Sequence, residues 1–71
     1  MKYPFNDFSK DDIEQSIEQW VHNKRDRAIL HDRLIDGIVF EKLGEMHDLT
    51  PQQIKNIVNK WQDTVYLHIK K

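Results

Sequence analysis

Residues 40–58 read Phe40-Glu-Lys-Leu43-Gly44-Glu-Met-His-Asp48-Leu49-Thr50-Pro-Gln-Gln-Ile54-Lys-Asn-Ile57-Val58. Two helices that cross steeply need a small residue where the second passes over the first, and Gly44 supplies it. Glycine costs roughly 1 kcal/mol inside a helix, so its place there implies a packing reason. A tight turn needs a residue that tolerates positive φ, and Asp48 is of that kind. Leu49 is the apolar plug at the corner. Thr50 caps the second helix, Pro51 takes the first helical position where no amide is missed, and Gln53 can close a capping box. Ile54 and Ile57 then face the first helix. The pattern predicts a helix-turn-helix; the plainer alternative is a helical hairpin in which Gly44 is incidental.

Working outward, the fourth helix continues to about Ile69 and is expected to bury Ile54, Ile57, Val58, Trp61 and Val65, with Leu49 and Ile54 as a hydrophobic staple. Upstream, Ser9 caps a first helix over about 9–22, whose apolar positions Ile13, Ile17, Trp20 and Val21 share one face. Phe8 can staple against Ile13. Asn23 opens a second helix carrying Ala28, Ile29, Leu34 and Ile35, and Asp36-Gly37 ends it. A short third helix runs from about Val39 to Met46. The expectation is an all-α domain of four helices over residues 1–71, with the helix-turn-helix formed by the third and fourth.

Composition narrows the function. Seventy-one residues make one small domain, and 38% hydrophobic content is enough for a single core. No cysteine is present, which removes disulfides, thiolate metal sites and thiol nucleophiles together. No apolar run approaches the ~18 residues of a membrane span, and no signal-peptide pattern opens the chain, so the expected compartment is the cytoplasm, without a membrane partner. The net charge of −1 hides an asymmetry: Lys55, Lys60, Lys70 and Lys71 against Asp63 leave residues 51–71 at +3. A basic segment can approach an anionic partner even in a neutral protein.

Catalytic constellations do not assemble. His22, His31, His47 and His68 sit on separate predicted elements without a helical-turn pair, so no metal or other cofactor is expected. No phosphate-binding glycine loop exists, and Ser9 and Ser16 read as helix residues. The chain does not read as an enzyme. Trp20, Trp61, Phe5 and Phe8 read as core rather than as a ligand platform, joining the first helix to the end of the fourth. Tyr66 and Leu67 lie off the buried stripe, expected at the surface, where they would begin a homodimer or partner patch.

At ~100° per residue from Ile54, residues Gln52, Asn56 and Asn59 fall opposite the buried stripe, with Gln53, Lys55 and Lys60 on its flanks. Amide side chains suit paired hydrogen bonds to adenine, and the start of a recognition helix is where base edges are reached. Thr50, Gln52, Gln53, Lys55, Asn56, Asn59 and Lys60 are therefore the candidate double-stranded DNA contacts, the lysines on phosphates, with Arg25, Arg27 or Arg33 adding to them. Asp63 confines contact to the first half of the helix. The plainer reading of the same residues is a solvated polar face.

Residues 24–62 resemble region four of bacterial sigma factors and the small sigma-like regulators built on it. The resemblance is carried by Arg25-Asp26-Arg27-Ala28-Ile29-Leu30, Leu34-Ile35-Asp36-Gly37, Phe40-Glu41-Lys42-Leu43-Gly44-Glu45, Asp48-Leu49-Thr50 and Ile54-Lys55-Asn56-Ile57. It implies a fourth helix that reads the −35 promoter element in the major groove and a surface that docks on RNA polymerase. The chain departs from the family where promoter readers begin the recognition helix with Arg, Glu and Arg; here stand Pro51, Gln52 and Gln53. Nor do these residues leave room for the region that melts the −10 element. The expected function is a small DNA-binding transcriptional regulator. The alternative is a protein-interaction module or inhibitor that uses the same scaffold on RNA polymerase or another nucleic-acid enzyme, through Asp11, Glu14 and Glu18 or through Tyr66 and Leu67.

Overall fold

The computed structural model describes residues 5–69, in which a short 3-10 turn (Phe5–Asp7) precedes four α-helices: α1 Lys10–Trp20, α2 Lys24–Leu34, α3 Phe40–His47 and α4 Pro51–Ile69. No strand occurs among the described residues. Each helix starts where local chemistry allows. Ser9 Oγ accepts from the Asp12 amide at 3.1 Å, and Asn23 Oδ1 accepts from the Asp26 amide at 3.1 Å. Both satisfy amides that an uncapped first turn would leave without partners. The α3 start has no such bond: Val39 stands at its cap position with an aliphatic side chain, and the helix begins at Phe40. Gly37, at φ 69°, turns the chain out of α2.

α4 is the spine. Its 19 residues at ~1.5 Å each run most of the 33 Å length of the molecule, and α1, α2 and α3 all pack against it. Ile29, Leu30, Leu43 and Ile54 are fully buried around it, each worth ~1.5–3 kcal/mol of transfer from water. Of the expected α4 stripe, Ile54, Val58 and Val65 are buried, while Ile57 and Trp61 are half-buried. The first helix meets the C-terminal half of α4 as expected. Its closest polar tie is Ser16, whose hydroxyl donates to the Val65 carbonyl at 2.8 Å from a buried position.

Three expectations are corrected. Trp20 is not core: it is 41% exposed and stacks on His68, with ring centroids 3.6 Å apart. The cause is local, since α1 ends at Trp20 while Val21, the next residue, turns inward and is fully buried. Tyr66 is not at the surface; it is half-buried, edge-on to both Phe5 and Phe8 at 5.6 Å. Those aromatics come from the segment before α1, which α4 periodicity cannot reveal, and only Leu67 of the pair is exposed. In α2, Ile29 and Leu34 are buried as expected, but Leu30 is buried with them and Ala28 faces solvent. No helix among the described residues is long and apolar enough to cross a membrane.

A Cβ on Gly44 would lie 2.5 Å from the Leu49 carbonyl oxygen, which as backbone cannot rotate away. Gly44→Ala is expected to lose more by this overlap than the ~1 kcal/mol of helix propensity it gains, for a net destabilisation of about 1–2 kcal/mol in urea melts. Gly37→Ala meets nothing within 4 Å and should lose about 1 kcal/mol through its left-handed backbone alone, with Gly37→Asn milder.

Candidate nucleic-acid interface

The corner between α3 and α4 is built from backbone. Asp48 takes the left-handed conformation (φ 58°, ψ 44°), and its amide and that of Leu49 both turn back to the Gly44 carbonyl, Leu49 at 2.8 Å. With no side chain at Gly44, the Leu49 peptide lies directly on α3. Leu49 is half-buried against the core, as the plug position requires. α4 then starts with both halves of a capping box formed. The Gln53 amide donates to Thr50 Oγ1 at 3.1 Å, and the Thr50 amide donates to Gln53 Oε1 at 2.9 Å.

The seven candidate contact residues are all exposed, along the first three turns of α4, but their side chains are not equivalent. Thr50 and Gln53 have their oxygens committed to the cap. Gln52 Nε2 donates to Asn56 Oδ1 at 3.0 Å, so the two amides form a braced pair one turn apart, leaving Gln52 Oε1 as acceptor and Asn56 Nδ2 as donor. Asn59 is partly withdrawn, because its Oδ1 accepts from Gln62 Nε2 at 3.1 Å. Lys60 leans toward the Trp61 ring, its ammonium 5.1 Å from the centroid. Lys55 lines an open cleft of about 490 Å³ with Arg33, Phe40, Val58, Asn59, Gln62 and Asp63.

Of the three arginines considered as helpers, Arg33 is the one placed beside α4. Its guanidinium stacks 4.4 Å over Phe40 and donates through Nη1 to the Ile38 carbonyl at 3.0 Å, while its buried Nε has no hydrogen-bond partner. Arg27 is turned away, bonding the Val21 carbonyl at 2.8 Å, and Arg25 lies 3.5 Å from Asp26. The opposite flank is acidic: Glu41, Glu45 and Asp48 border Thr50, Pro51 and Gln53 around a second open cleft. An anion therefore meets attraction on the Lys55–Arg33 side of α4 and repulsion on the α3 side.

Sequence spacing misses two features. Arg33 and Lys55 are 22 positions apart and meet only through the packing of α2 on α4. Buried Asp26 accepts from Trp61 Nε1 at 2.9 Å, which ties the same two helices; a carboxylate three residues after a cap carries no signal of that role. The histidines are also less scattered than the sequence suggests. His31 and His47 flank Asp32, and His31, Asp32 and Asp36 bring potential ligand atoms within 4.8 Å of one another. In comparisons with known proteins, no family model, curated protein or solved structure matches the chain.

The cap and the braced pair separate by stability. Thr50→Ala should cost about 1 kcal/mol, the usual loss for an N-cap. Gln52→Ala and Asn56→Ala, whose bond is fully exposed, should stay within about 0.5 kcal/mol of the parent in the same denaturation assay.

Proposed function

We propose that this chain is a small DNA-binding transcriptional regulator of the cytoplasm, using α3 and α4 as a helix-turn-helix with α4 as the recognition helix. The observation that carries the reading is the exposed, hydrogen-bonded Gln52–Asn56 pair beside Lys55 on the first turns of a capped helix. The resemblance of residues 24–62 to sigma region four agrees with it. Neither amide has a packing role, and bracing one against the other lowers the entropy lost when either is held at a base edge. Gln52 Oε1 can accept from adenine N6–H and Asn56 Nδ2 can donate to adenine N7, the pair of groups adenine presents in the major groove. Lys55 and Lys60 neutralise phosphates, and Arg33 adds charge at the same cleft. The partial positive charge of the α4 N-terminus acts in the same direction.

A helical surface with so few cations binds through position as much as through charge. About two or three neutralised phosphates imply a slope of roughly −2 to −3 for log affinity against log salt. Fluorescence anisotropy of the purified protein on random duplexes of ~30 bp at two salt concentrations tests this. Asn56→Ala should flatten the preference among selected sequences, whereas Lys55→Ala or Lys60→Ala should weaken all sequences about equally and reduce the slope by about one. Unchanged binding in all three variants removes the assignment of this face.

The second reading, a module that binds RNA polymerase or another nucleic-acid enzyme, is favoured by the exposure of Met46 and Val39 on and beside α3 and of Leu67 on α4, at 51%, 59% and 63%. The acidic residues Asp11 and Glu18 of α1 are also exposed. Absence of DNA binding at low salt, together with polymerase retention that is lost on charge reversal at Asp11 and Glu18, selects it.

A further inference from the structure

The C-terminal turn of α2 carries a group of side chains that neither the core nor the α4 surface uses. His31 Nδ1 lies 3.8 Å from Asp32 Oδ1 and 3.9 Å from Asp36 Oδ2. Donor atoms that share one ion at bonds of about 2.0–2.2 Å lie roughly 3–4 Å apart, and both distances fall in that range. One ligand atom from each of the three residues lies within 4.8 Å of the others, so the widest pair would have to draw together slightly around an ion. The arrangement does not stop at three residues. The other ring nitrogen of His31, Nε2, is 3.3 Å from Glu14 Oε2 on α1, which orients the ring so that Nδ1 presents its lone pair to the carboxylates.

The surroundings hold the group in place and favour a cation. His47 Nε2, from the end of α3, pairs with the other oxygen of Asp32 at 3.5 Å, an ion-pair contact without a hydrogen bond that fixes this carboxylate. Electrostatics add to this. Asp32 lies in the last turn of α2 and Asp36 just beyond it, at the negative end of the helix dipole, where carboxylates are disfavoured and cations favoured. Glu14 adds a third carboxylate, and the cations nearest in sequence are turned elsewhere: Arg33 donates to the Ile38 carbonyl and Arg27 to the Val21 carbonyl.

We infer that His31, Asp32 and Asp36 form a binding site for a divalent first-row transition-metal ion, of which Zn²⁺ is the representative, with Glu14 and His47 orienting the ligands. Imidazole nitrogen beside two carboxylates suits such an ion, whereas Mg²⁺ demands oxygen and water. Bound there, the ion ties the end of α2 and the α2–α3 connection together, and through Glu14 and His47 it links them to α1 and α3. The site does not depend on the DNA-binding reading, and its test contains no DNA.

Titration of the full chain with Co²⁺, followed by its visible d–d absorption, should saturate at one ion per chain. Zn²⁺ should displace the signal, millimolar Mg²⁺ should not, and Zn²⁺ should raise the thermal midpoint. Asp36→Asn, at a half-exposed position, should abolish saturation while the circular dichroism of the helices is unchanged; His31→Gln should do the same. Glu14→Gln should weaken binding about 10-fold or more through the lost orientation of His31. His22→Gln, at an exposed histidine outside the group, should change nothing. Absence of saturable binding overturns the proposal, and so does one-to-one binding that survives Asp36→Asn and His31→Gln undiminished.

Discussion

The contact that the rest of the molecule depends on is the passage of the Leu49 peptide over Gly44. Any side chain on residue 44 would occupy the volume of the Leu49 carbonyl oxygen. Because the approach is backbone on backbone, α4 leaves α3 at an angle fixed by peptide geometry rather than by side chains that could adapt. The left-handed Asp48 makes the same turn from the other direction, directing its own amide and that of Leu49 onto one carbonyl. From that corner α4 is aimed across the molecule, where α1 and α2 find the apolar stripe of Ile54, Val58 and Val65.

A helix that serves as spine along its whole length divides its surface unequally. Its C-terminal half is tied to α1 and to the segment before it: Val65 receives the Ser16 hydroxyl on its carbonyl, and Tyr66 lies against Phe5 and Phe8, while Leu67 stays exposed. Its middle is held by Trp61, which donates to buried Asp26. The N-terminal half is covered on one side only, and its outward residues are amides and lysines. Rigid anchoring at the far end keeps those residues in place at the near end. On the proposed DNA-binding reading this matters, because a side chain misplaced by an ångström no longer meets a base edge.

Charge follows the same division. The flank of α4 that faces α3 is bordered by Glu41, Glu45 and Asp48, and the flank that faces α2 holds Lys55 and Arg33. With a net charge of −1 the chain as a whole does not attract an anion. What attraction it offers is local and one-sided, which fixes orientation more than affinity. Three further carboxylates, Glu14, Asp32 and Asp36, are gathered around His31 at the C-terminal end of α2.

Local rules were legible in the sequence wherever the partner lies within one helical turn. Ser9, Asn23 and Thr50 cap the helices they precede, Gln53 closes the box with Thr50, Gly37 ends α2, and the Ile54–Val58–Val65 stripe is buried. These follow from hydrogen bonds and periodicities spanning three or four residues, which any helix imposes. The exposed row from Thr50 to Lys60 was legible for the same reason, as the complement of the stripe. What tertiary structure alone decided involves partners far apart in the chain: Asp26 with Trp61, Ser16 with Val65, Arg33 beside Lys55, and His31 and His47 around Asp32. The inward turn at Val21 that leaves Trp20 on the surface, and the aromatic segment that covers Tyr66, belong to the same class. Periodicity states which face of a helix is apolar. Which residues meet across two faces depends on crossing angle and axial offset, and those are set only when the helices pack together.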